Sequence, residues 1–136
     1  MNELILYIDG ASKGNPGAAG IGVLVVSAQG DVVAEIGESI GRTTNNVAEY
    51  RALLRGLLEA KTRGASAVLV HTDSQLLARQ MEGTYQVKAA HLQSLHREAD
   101  RLCREFPDGV RFSHVLREYN RRADQLANEG VKQAER

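Results

Sequence analysis

The chain has 136 residues, of which 43% are hydrophobic and 25% are charged. This length and composition are typical of one soluble globular domain, and they exclude disordered and collagen-like chains. The 17 basic and 17 acidic residues cancel, whereas nucleic-acid-binding proteins are usually basic, so any such binding must depend on local positive features or on metal ions.

The first half of the chain has the pattern of β-strands. Residues 3–9 (ELILYID) form a short apolar run with a Gly-rich exit. Residues 20–31 are rich in β-branched side chains and end at a turn, and residues 32–41 follow as their hairpin partner. We therefore predict three antiparallel strands in a meander.

A helix is predicted after the segment RTTNN, with its end marked by Gly64. Its apolar residues recur with the spacing of one helix face. The residues that we predict to be buried on this face are Tyr50, Leu53, Leu54, Leu57 and Leu58.

The rest of the chain alternates between strands and helices. Strands are predicted at 67–73 and 110–117, and helices at 74–83, 88–106 and 120–134. Ser74 and Asn120 are the residues that open the first and last of these helices. The order predicts a single α/β domain over residues 1–136, with helices packed on one mixed sheet.

The single cysteine, Cys103, lies in the helical pattern ADRLCREF, so we predict a packed side chain and no disulfide bond. The N-terminal stretch lacks the basic region and apolar length of a secretory signal. No stretch approaches the length of a membrane span. Together these features predict a cytoplasmic protein without a membrane interaction.

Four acidic residues occupy positions of particular interest. Asp9 and Asp73 each end an apolar strand, and if those strands are adjacent and parallel, both carboxylates lie at the same edge of the sheet. Glu49 flanks the buried face of the first helix, and Asp124 lies near the start of the last helix. Each acid taken alone is more simply explained as a turn, cap or solvated helix residue than as part of a site.

The combination of the four acids suggests a metal site. Four converging carboxylates carry a charge of −4, which two divalent cations would neutralise. Ligand sets made only of oxygen favour Mg²⁺ or Mn²⁺ over zinc. Two such ions about 3.5–4 Å apart are suited to in-line attack at phosphorus. Convergence itself depends on the fold.

The glycines at 14, 17, 20 and 22 suggest a nucleotide-binding loop. A dinucleotide-binding motif requires a helix directly after the glycines, but the segment GIGVLVVSAQG is strand-like, and no GK[ST] sequence follows for a P-loop. The remaining interpretation is a tight loop that lets the backbone approach a bulky ligand.

Four segments resemble, in order, the signature blocks of type 1 ribonuclease H. They are YIDGASKGNPGAAGIGVLV, TTNNVAEYRALLRGL, VHTDSQLLARQ and REYNRRADQLAN, and they extend from about residue 7 to residue 128. Each block contributes one of the four acids. The resemblance implies a ribonuclease H-like fold: a mixed five-stranded sheet of three antiparallel strands plus parallel strands, with helices on both faces.

The resemblance also implies an activity and residue roles. The activity is endonucleolytic cleavage of the RNA strand of an RNA–DNA hybrid, leaving 5′-phosphate and 3′-hydroxyl ends, by a monomer without an obligate protein partner. Two Mg²⁺ ions, replaceable by Mn²⁺, serve as cofactors. The implied catalytic and metal-binding residues are Asp9, Glu49, Asp73 and Asp124. The implied substrate-binding residues are Gly10, Ser12, Asn15, Thr44, Asn45, Asn46 and Gln75.

One departure from the family pattern concerns positive charge. The best-known bacterial members carry a basic, tryptophan-rich protrusion after the helix of the third acid, whereas the segment QMEGTYQVKAAHLQS has one lysine and no tryptophan. We therefore expect weaker hybrid binding or a stronger dependence on metal concentration. Phosphate contacts would come from scattered residues, each of which is otherwise a solvated surface charge: Lys13, Arg42, Lys88, Arg121 and Arg122.

A second departure concerns a histidine that many members carry in a flexible loop before the last acid. Only LREYNRR lies between the last strand and Asp124. His114 is the nearest histidine, but it alternates with Val110, Phe112 and Leu116, so we predict a structural residue on a strand face.

Two alternative functions remain open at this stage. One is a nuclease of the same fold with another substrate, such as double-stranded RNA, which fold alone does not exclude. The other is a non-catalytic hybrid-binding module. The presence of all four acids argues against this module, because a binder gains nothing from negative charge placed next to phosphate.

Overall fold

Five strands form one mixed sheet in the computed structural model, which describes residues 2–136. The strands are β1 (Glu3–Gly14), β2 (Gly17–Ser27), β3 (Val32–Thr43), β4 (Ala67–Thr72) and β5 (Val110–His114). Their order across the sheet is β3-β2-β1-β4-β5. The first three strands pair antiparallel, whereas β4 runs parallel to β1 and β5 runs parallel to β4. The predicted meander and mixed sheet are therefore confirmed.

The described residues form four helices, of which the second and the last begin directly after Ser74 and Asn120, the residues predicted to open them, whereas the first begins at Asn45, inside the segment RTTNN that was predicted to precede it. They are α1 (Asn45–Thr62), α2 (Gln75–Glu82), α3 (Ala90–Cys103) and α4 (Arg121–Ala134), with a 3₁₀ turn at Arg117–Tyr119. Thr44 caps α1 by accepting a hydrogen bond from the Val47 amide, and Ser74 caps α2 by accepting one from the Leu77 amide. None of the helices within residues 2–136 combines the length and apolar character that crossing a membrane requires.

Helices cover both faces of the sheet. Neighbouring residues of a strand point to opposite faces, and Gly22 and Val23 on β2 show this arrangement. A Cβ atom built on Gly56 of α1 would lie 3.4 Å from Val23 Cγ1, so α1 packs on the Val23 face. A Cβ built on Gly22 would lie 2.1 Å from the Ala123 carbonyl oxygen of α4, so α4 packs on the other face. The predicted two-sided arrangement is confirmed.

The predicted Gly-rich loop is wrong, because residues 10–20 form the β1–β2 hairpin, which turns at Asn15–Pro16. The pairing between β1 and β4 stops at Ile8 opposite Thr72, but β1 continues along β2 as far as Gly14. Asp9 therefore lies inside a strand and not at its end. Asp9 is nevertheless the first residue of β1 beyond the segment that pairs with the parallel strand β4.

Some glycines of this region serve close packing between helix and sheet. A Cβ on Gly20 would lie 2.4 Å from the Ala127 carbonyl oxygen, and a Cβ on Gly130 would lie 2.2 Å from the Glu38 carbonyl oxygen. Distances this short are closer than any real Cβ contact, so α4 lies directly on the backbone of β2 and β3. The role predicted for Gly20, approach to a ligand, is replaced by approach to a helix.

One predicted buried position is exposed, and the last strand is shorter than predicted. Leu58 is 48% exposed, because it lies about 80° round the helix from Tyr50, whereas Leu57 lies only about 20° away. Leu116 is 59% exposed and lies beyond β5, which ends at His114 because the chain then turns into the 3₁₀ segment. The third helix is also shorter than predicted, although Phe106 beyond its end is buried.

We expect Gly22→Ala to lower the free energy of unfolding by about 2–3 kcal/mol, because the added methyl group must push α4 away from β2. Gly56→Ala is the matched control, since its Cβ meets only side-chain atoms at 3.0 Å or more and alanine is the better helix former. Urea unfolding of both variants measures the difference. An equal loss in the two variants would contradict the close packing described here.

Candidate active site

Three buried or half-buried carboxylates meet at the sheet edge where β4 ends. Asp9, Glu49 and Asp73 each offer one oxygen atom, and these atoms all lie within 4.8 Å of one another. Asp9 follows the last residue of β1 that pairs with β4, and Asp73 follows the last residue of β4. The parallel register thus places two acids side by side that are 64 residues apart in the sequence.

Glu49 reaches this edge because α1 lies against the backbone of β1. A Cβ on Gly10 would lie 2.3 Å from the Ala48 carbonyl carbon, so only glycine permits this approach. The Gly10 amide donates a hydrogen bond to Glu49 Oε1. The side chain of Glu49 is consequently held next to Asp9, with only 6% of the residue exposed.

Asp124 adjoins the cluster from the first turn of α4. It is half-buried, and it lies close enough to Asp9 to contribute to the raised pKa of that carboxyl group. It does not belong to the set of three oxygens within 4.8 Å. The structure therefore brings the four acids of the sequence motifs to one place, with Asp124 at its side.

Burial and mutual repulsion disfavour the charged forms of these acids. Burial is the main cause that raises the pKa of Asp9 to about 9, followed by the negative charges of Glu49 and Asp73. Burial also raises the pKa of Glu49 to about 7, although the hydrogen bond from Gly10 opposes this shift. Within residues 2–136, no ion pair involves Asp9, Glu49, Asp73 or Asp124.

These properties fit a hard divalent cation. The donor atoms are carboxylate oxygens, which Mg²⁺ and Mn²⁺ prefer. The negative charge of the cluster has no basic partner among residues 2–136, so a cation would relieve the repulsion that contributes to the raised pKa of Asp9. The residues present are therefore able to hold the metal that the sequence predicts.

Asn120 is a neighbour of the acids that the sequence interpretation missed. It was predicted only to open the last helix, but its side chain makes no capping hydrogen bond. Instead, Nδ2 donates to the Ile8 carbonyl oxygen at 2.8 Å and to Asp73 Oδ2 at 3.4 Å. One feature of the sequence could have indicated this position near the acids: Asn120 lies one turn before Asp124, in a motif that carries an acid of the site. Ser74 was also missed: besides capping α2, its hydroxyl favours the charged form of Glu49 and so opposes the rise in the pKa of that carboxyl group.

The predicted substrate-binding residues surround this edge. Thr44 caps α1, and Asn45, Asn46 and Gln75 lie exposed in the first turns of α1 and α2. Ser12 is half-buried on β1. Asn15 already has a partner inside the protein, because its Oδ1 accepts a hydrogen bond from the Asn45 amide at 3.0 Å. The roles of these residues towards a substrate stay predictions.

Two histidines and the single cysteine are not members of the carboxylate cluster. His114 is part of β5 as predicted, but it is exposed instead of packed on a strand face. His71 stacks on Tyr7 with ring centroids 4.6 Å apart, and burial lowers its pKa. Cys103 is half-buried, and burial raises the pKa of its thiol to about 12, which agrees with a packed, unreactive side chain.

We expect the metal-free protein to lose stability as pH rises from about 5 to about 9. Asp9 and Glu49 ionise near pH 4 in the unfolded chain but at about 9 and about 7 in the folded protein. The folded state thus binds more protons across this window, and raising the pH favours unfolding.

Urea unfolding in EDTA at pH 5, 7 and 9 measures this loss. Asp9→Asn is the control, because the amide keeps the shape of the side chain without titrating. We expect the wild type to lose more than about 1 kcal/mol beyond the loss of the variant. Parallel losses in the two proteins would show that Asp9 has an ordinary pKa.

Known proteins resemble this chain in sequence and in structure. The model of a family described as reverse transcriptase-like matches residues 7–130. Ribonuclease HI of Halobacterium salinarum is 43% identical over 128 residues, which cover 94% of this chain and 64% of the relative. Ribonuclease H of Thiobacillus denitrificans is 36% identical over 144 residues, which cover 96% of this chain and 95% of the relative.

Some relatives are longer than this chain. It spans 64% of the Halobacterium protein and 35% of a bifunctional protein of Mycobacterium tuberculosis, to which it is 42% identical. Among solved structures, LC11-RNase H1, isolated from compost, was crystallised in complex with an RNA/DNA hybrid. It superposes with a TM-score of 0.92 and 40% identity, over 98% of this chain and 99% of that one.

The sheet order, the four sequence blocks and the matches, which include 95% of the length of the Thiobacillus relative, agree with one another. The chain belongs to the type 1 ribonuclease H family.

Proposed function

We propose that this chain is a metal-dependent endoribonuclease that cleaves the RNA strand of RNA–DNA hybrids and leaves 5′-phosphate and 3′-hydroxyl ends. The observation that carries the proposal is the cluster of Asp9, Glu49 and Asp73, whose oxygens lie within 4.8 Å of one another. Such a cluster is costly for a folded protein unless a cation neutralises it. Family membership supports the same activity.

Four residues would hold the cofactor, which we propose to be two Mg²⁺ ions with Mn²⁺ as a substitute: Asp9, Glu49, Asp73 and Asp124. When bound, the metal pair supplies an activated water and stabilises the leaving oxygen. No side chain of the protein therefore has to act as a nucleophile. The four side chains would bind the ions and keep them in place. The orientation of Glu49 is itself fixed by the Gly10 amide, which donates a hydrogen bond to Oε1.

Recognition of the hybrid would use the surface around this cluster. The RNA strand differs from DNA by its 2′-hydroxyl groups, which the wide minor groove displays. Hydroxyl and amide side chains can donate to and accept from such groups. The side chains of Ser12, Asn46 and Gln75 have no hydrogen-bond partner within residues 2–136 and are therefore available. The hybrid bound to LC11-RNase H1 supports the same substrate for this chain.

The phosphate contacts of this chain would be few. Of the five basic residues proposed for them, Lys13 pairs with Glu135 and Arg122 pairs with Glu35. Arg42, Lys88 and Arg121 make no ion pair within the described residues. Each phosphate contact makes the affinity for nucleic acid fall more steeply as the salt concentration rises. We therefore propose that the affinity of this protein for the hybrid falls only modestly with salt.

We further propose that residues 1–136 act as a single domain and as a monomer in the cytoplasm. The support for a single domain is that one hydrophobic cluster joins β1, β2 and β4 to α1 and α3. The monomeric state and the location rest on the sequence interpretation.

A cleavage assay tests the proposed activity. A hybrid with a labelled RNA strand, the matching RNA duplex and the matching DNA duplex are each incubated with the protein and Mg²⁺, and with EDTA as the metal-free control. We expect metal-dependent cleavage of the hybrid only, with 5′-phosphate ends on the products. Cleavage of the RNA duplex would identify the alternative nuclease, and binding without cleavage would identify a non-catalytic module.

Asp9→Asn and Asp73→Asn should each lower the cleavage rate by at least about 10²–10³-fold, because a charge that positions the metal is lost. The fold should survive, since removal of a repelling charge stabilises the metal-free cluster. The matched control is Asp31→Asn, which changes an exposed aspartate in the turn after β2. Near-normal turnover of either site variant, measured on protein with a native circular dichroism spectrum, would show that the metal assignment is wrong.

A further inference from the structure

We infer that Asn120 is a positioning residue of this site. It orients the carboxylate of Asp73, and its hydrogen bonds connect that carboxylate to the backbone that carries Asp9 and to the backbone of Asp124. The inference rests on the proposed function, because it concerns how the same carboxylates are held. Asn120 itself precedes α4 and is only 1% exposed. It is one of the few buried polar side chains of residues 2–136.

The contacts of Asn120 reach three of the acids. Its Nδ2 group donates to the carbonyl oxygen of Ile8, which directly precedes Asp9 in β1. The same group donates to Oδ2 of Asp73 at 3.4 Å. The backbone carbonyl of Asn120 accepts the hydrogen bond from the Asp124 amide at 3.1 Å. A single residue therefore contacts the strand of Asp9, the side chain of Asp73 and the backbone of Asp124.

The burial of Asn120 indicates that its amide group has a specific purpose. Its Oδ1 atom is buried and has no hydrogen-bond partner within residues 2–136, which is unfavourable for the folded state. The residue does not recover this cost as a helix cap, because its side chain makes no capping bond. What the side chain does supply is two N–H donors on one nitrogen atom, and both are directed at acceptors of the site.

Other short side chains lack this combination. Serine has one donor, and aspartate would add a negative charge next to Asp73. The Ile8 contact anchors the amide at 2.8 Å where the pairing between β1 and β4 ends. With the amide anchored, its second N–H has a fixed direction towards Asp73. Hydrogen bonds of this kind to a ligating carboxylate typically change metal affinity or activity by about 10–100-fold.

The first test compares Asn120→Ala with Asn128→Ala, which changes an exposed asparagine of the same helix. Calorimetric titration with Mn²⁺ in the absence of nucleic acid gives the metal affinity, and hybrid cleavage gives kcat and KM. We expect Asn120→Ala to bind Mn²⁺ about 10-fold more weakly and to lose about 10-fold in kcat, while KM changes less than about twofold. The Asn128→Ala variant should match the wild type in all three quantities.

The second test uses the wild-type protein and so does not depend on the folding of a variant. In protein labelled with ¹⁵N-asparagine, addition of Mg²⁺ should shift the side-chain amide resonances of Asn120, because the carboxylate that accepts its hydrogen bond binds the ion. The side-chain resonances of Asn128 serve as the internal control and should stay in place.

Two results would overturn the inference while the proposed function stands. One is a folded Asn120→Ala variant with wild-type Mn²⁺ affinity and kcat, even if its free energy of unfolding is lower, since that result shows a purely structural role. The other is an Asn120 amide signal that does not move at saturating Mg²⁺. In contrast, a wild-type protein that neither binds Mn²⁺ nor cleaves the hybrid would overturn the proposed function itself.

Discussion

The clustered carboxylates repel one another, and the backbone around them is arranged so that they stay together all the same. Asp9 and Glu49 are each only 6% exposed, and no basic side chain within residues 2–136 pairs with them. Such an arrangement persists only because the backbone leaves the acids no alternative. The parallel register of β1 and β4 places Asp9 beside Asp73, and the Gly10 amide holds Glu49 next to both. The repulsion lowers the free energy of unfolding of the metal-free protein. A cation that binds and removes this repulsion would stabilise the folded state in return.

Close contacts between helices and strands convert this constraint into a defined geometry. The backbone of α1 lies against Gly10 and that of α4 lies against Gly22, at distances that a Cβ atom would forbid. These two contacts place Glu49 and Asp124 on either side of Asp9. Glycine is therefore used at these positions for packing, and the same close packing that stabilises the fold sets the distances between the acids.

The distribution of charge fits a protein that would attract nucleic acid through a few local contacts and not through its overall charge. The net charge is zero, and Lys13, Arg55, Arg111 and Arg122 pair with glutamates. Surface pairs of this kind contribute little to stability, but they remove positive charge that would otherwise attract phosphate. The acidic cluster would repel a nucleic acid until cations neutralise it. If the proposed function holds, metal binding and substrate binding would thus be coupled through the same few carboxylates.

Alternation of apolar residues and helical spacing by themselves determined the order of the strands and helices, and the four sequence blocks identified the acids and the family. These features are local, so a window of about ten to twenty residues contains them. Only the tertiary structure decided that Asp9 lies inside a strand, that Gly22 packs against α4, that Leu58 is exposed, and that Asn120 contacts Ile8 and Asp73. Each of these depends on backbone segments that are distant in the chain, and their distance of approach is set by how whole elements pack. No local pattern encodes that distance.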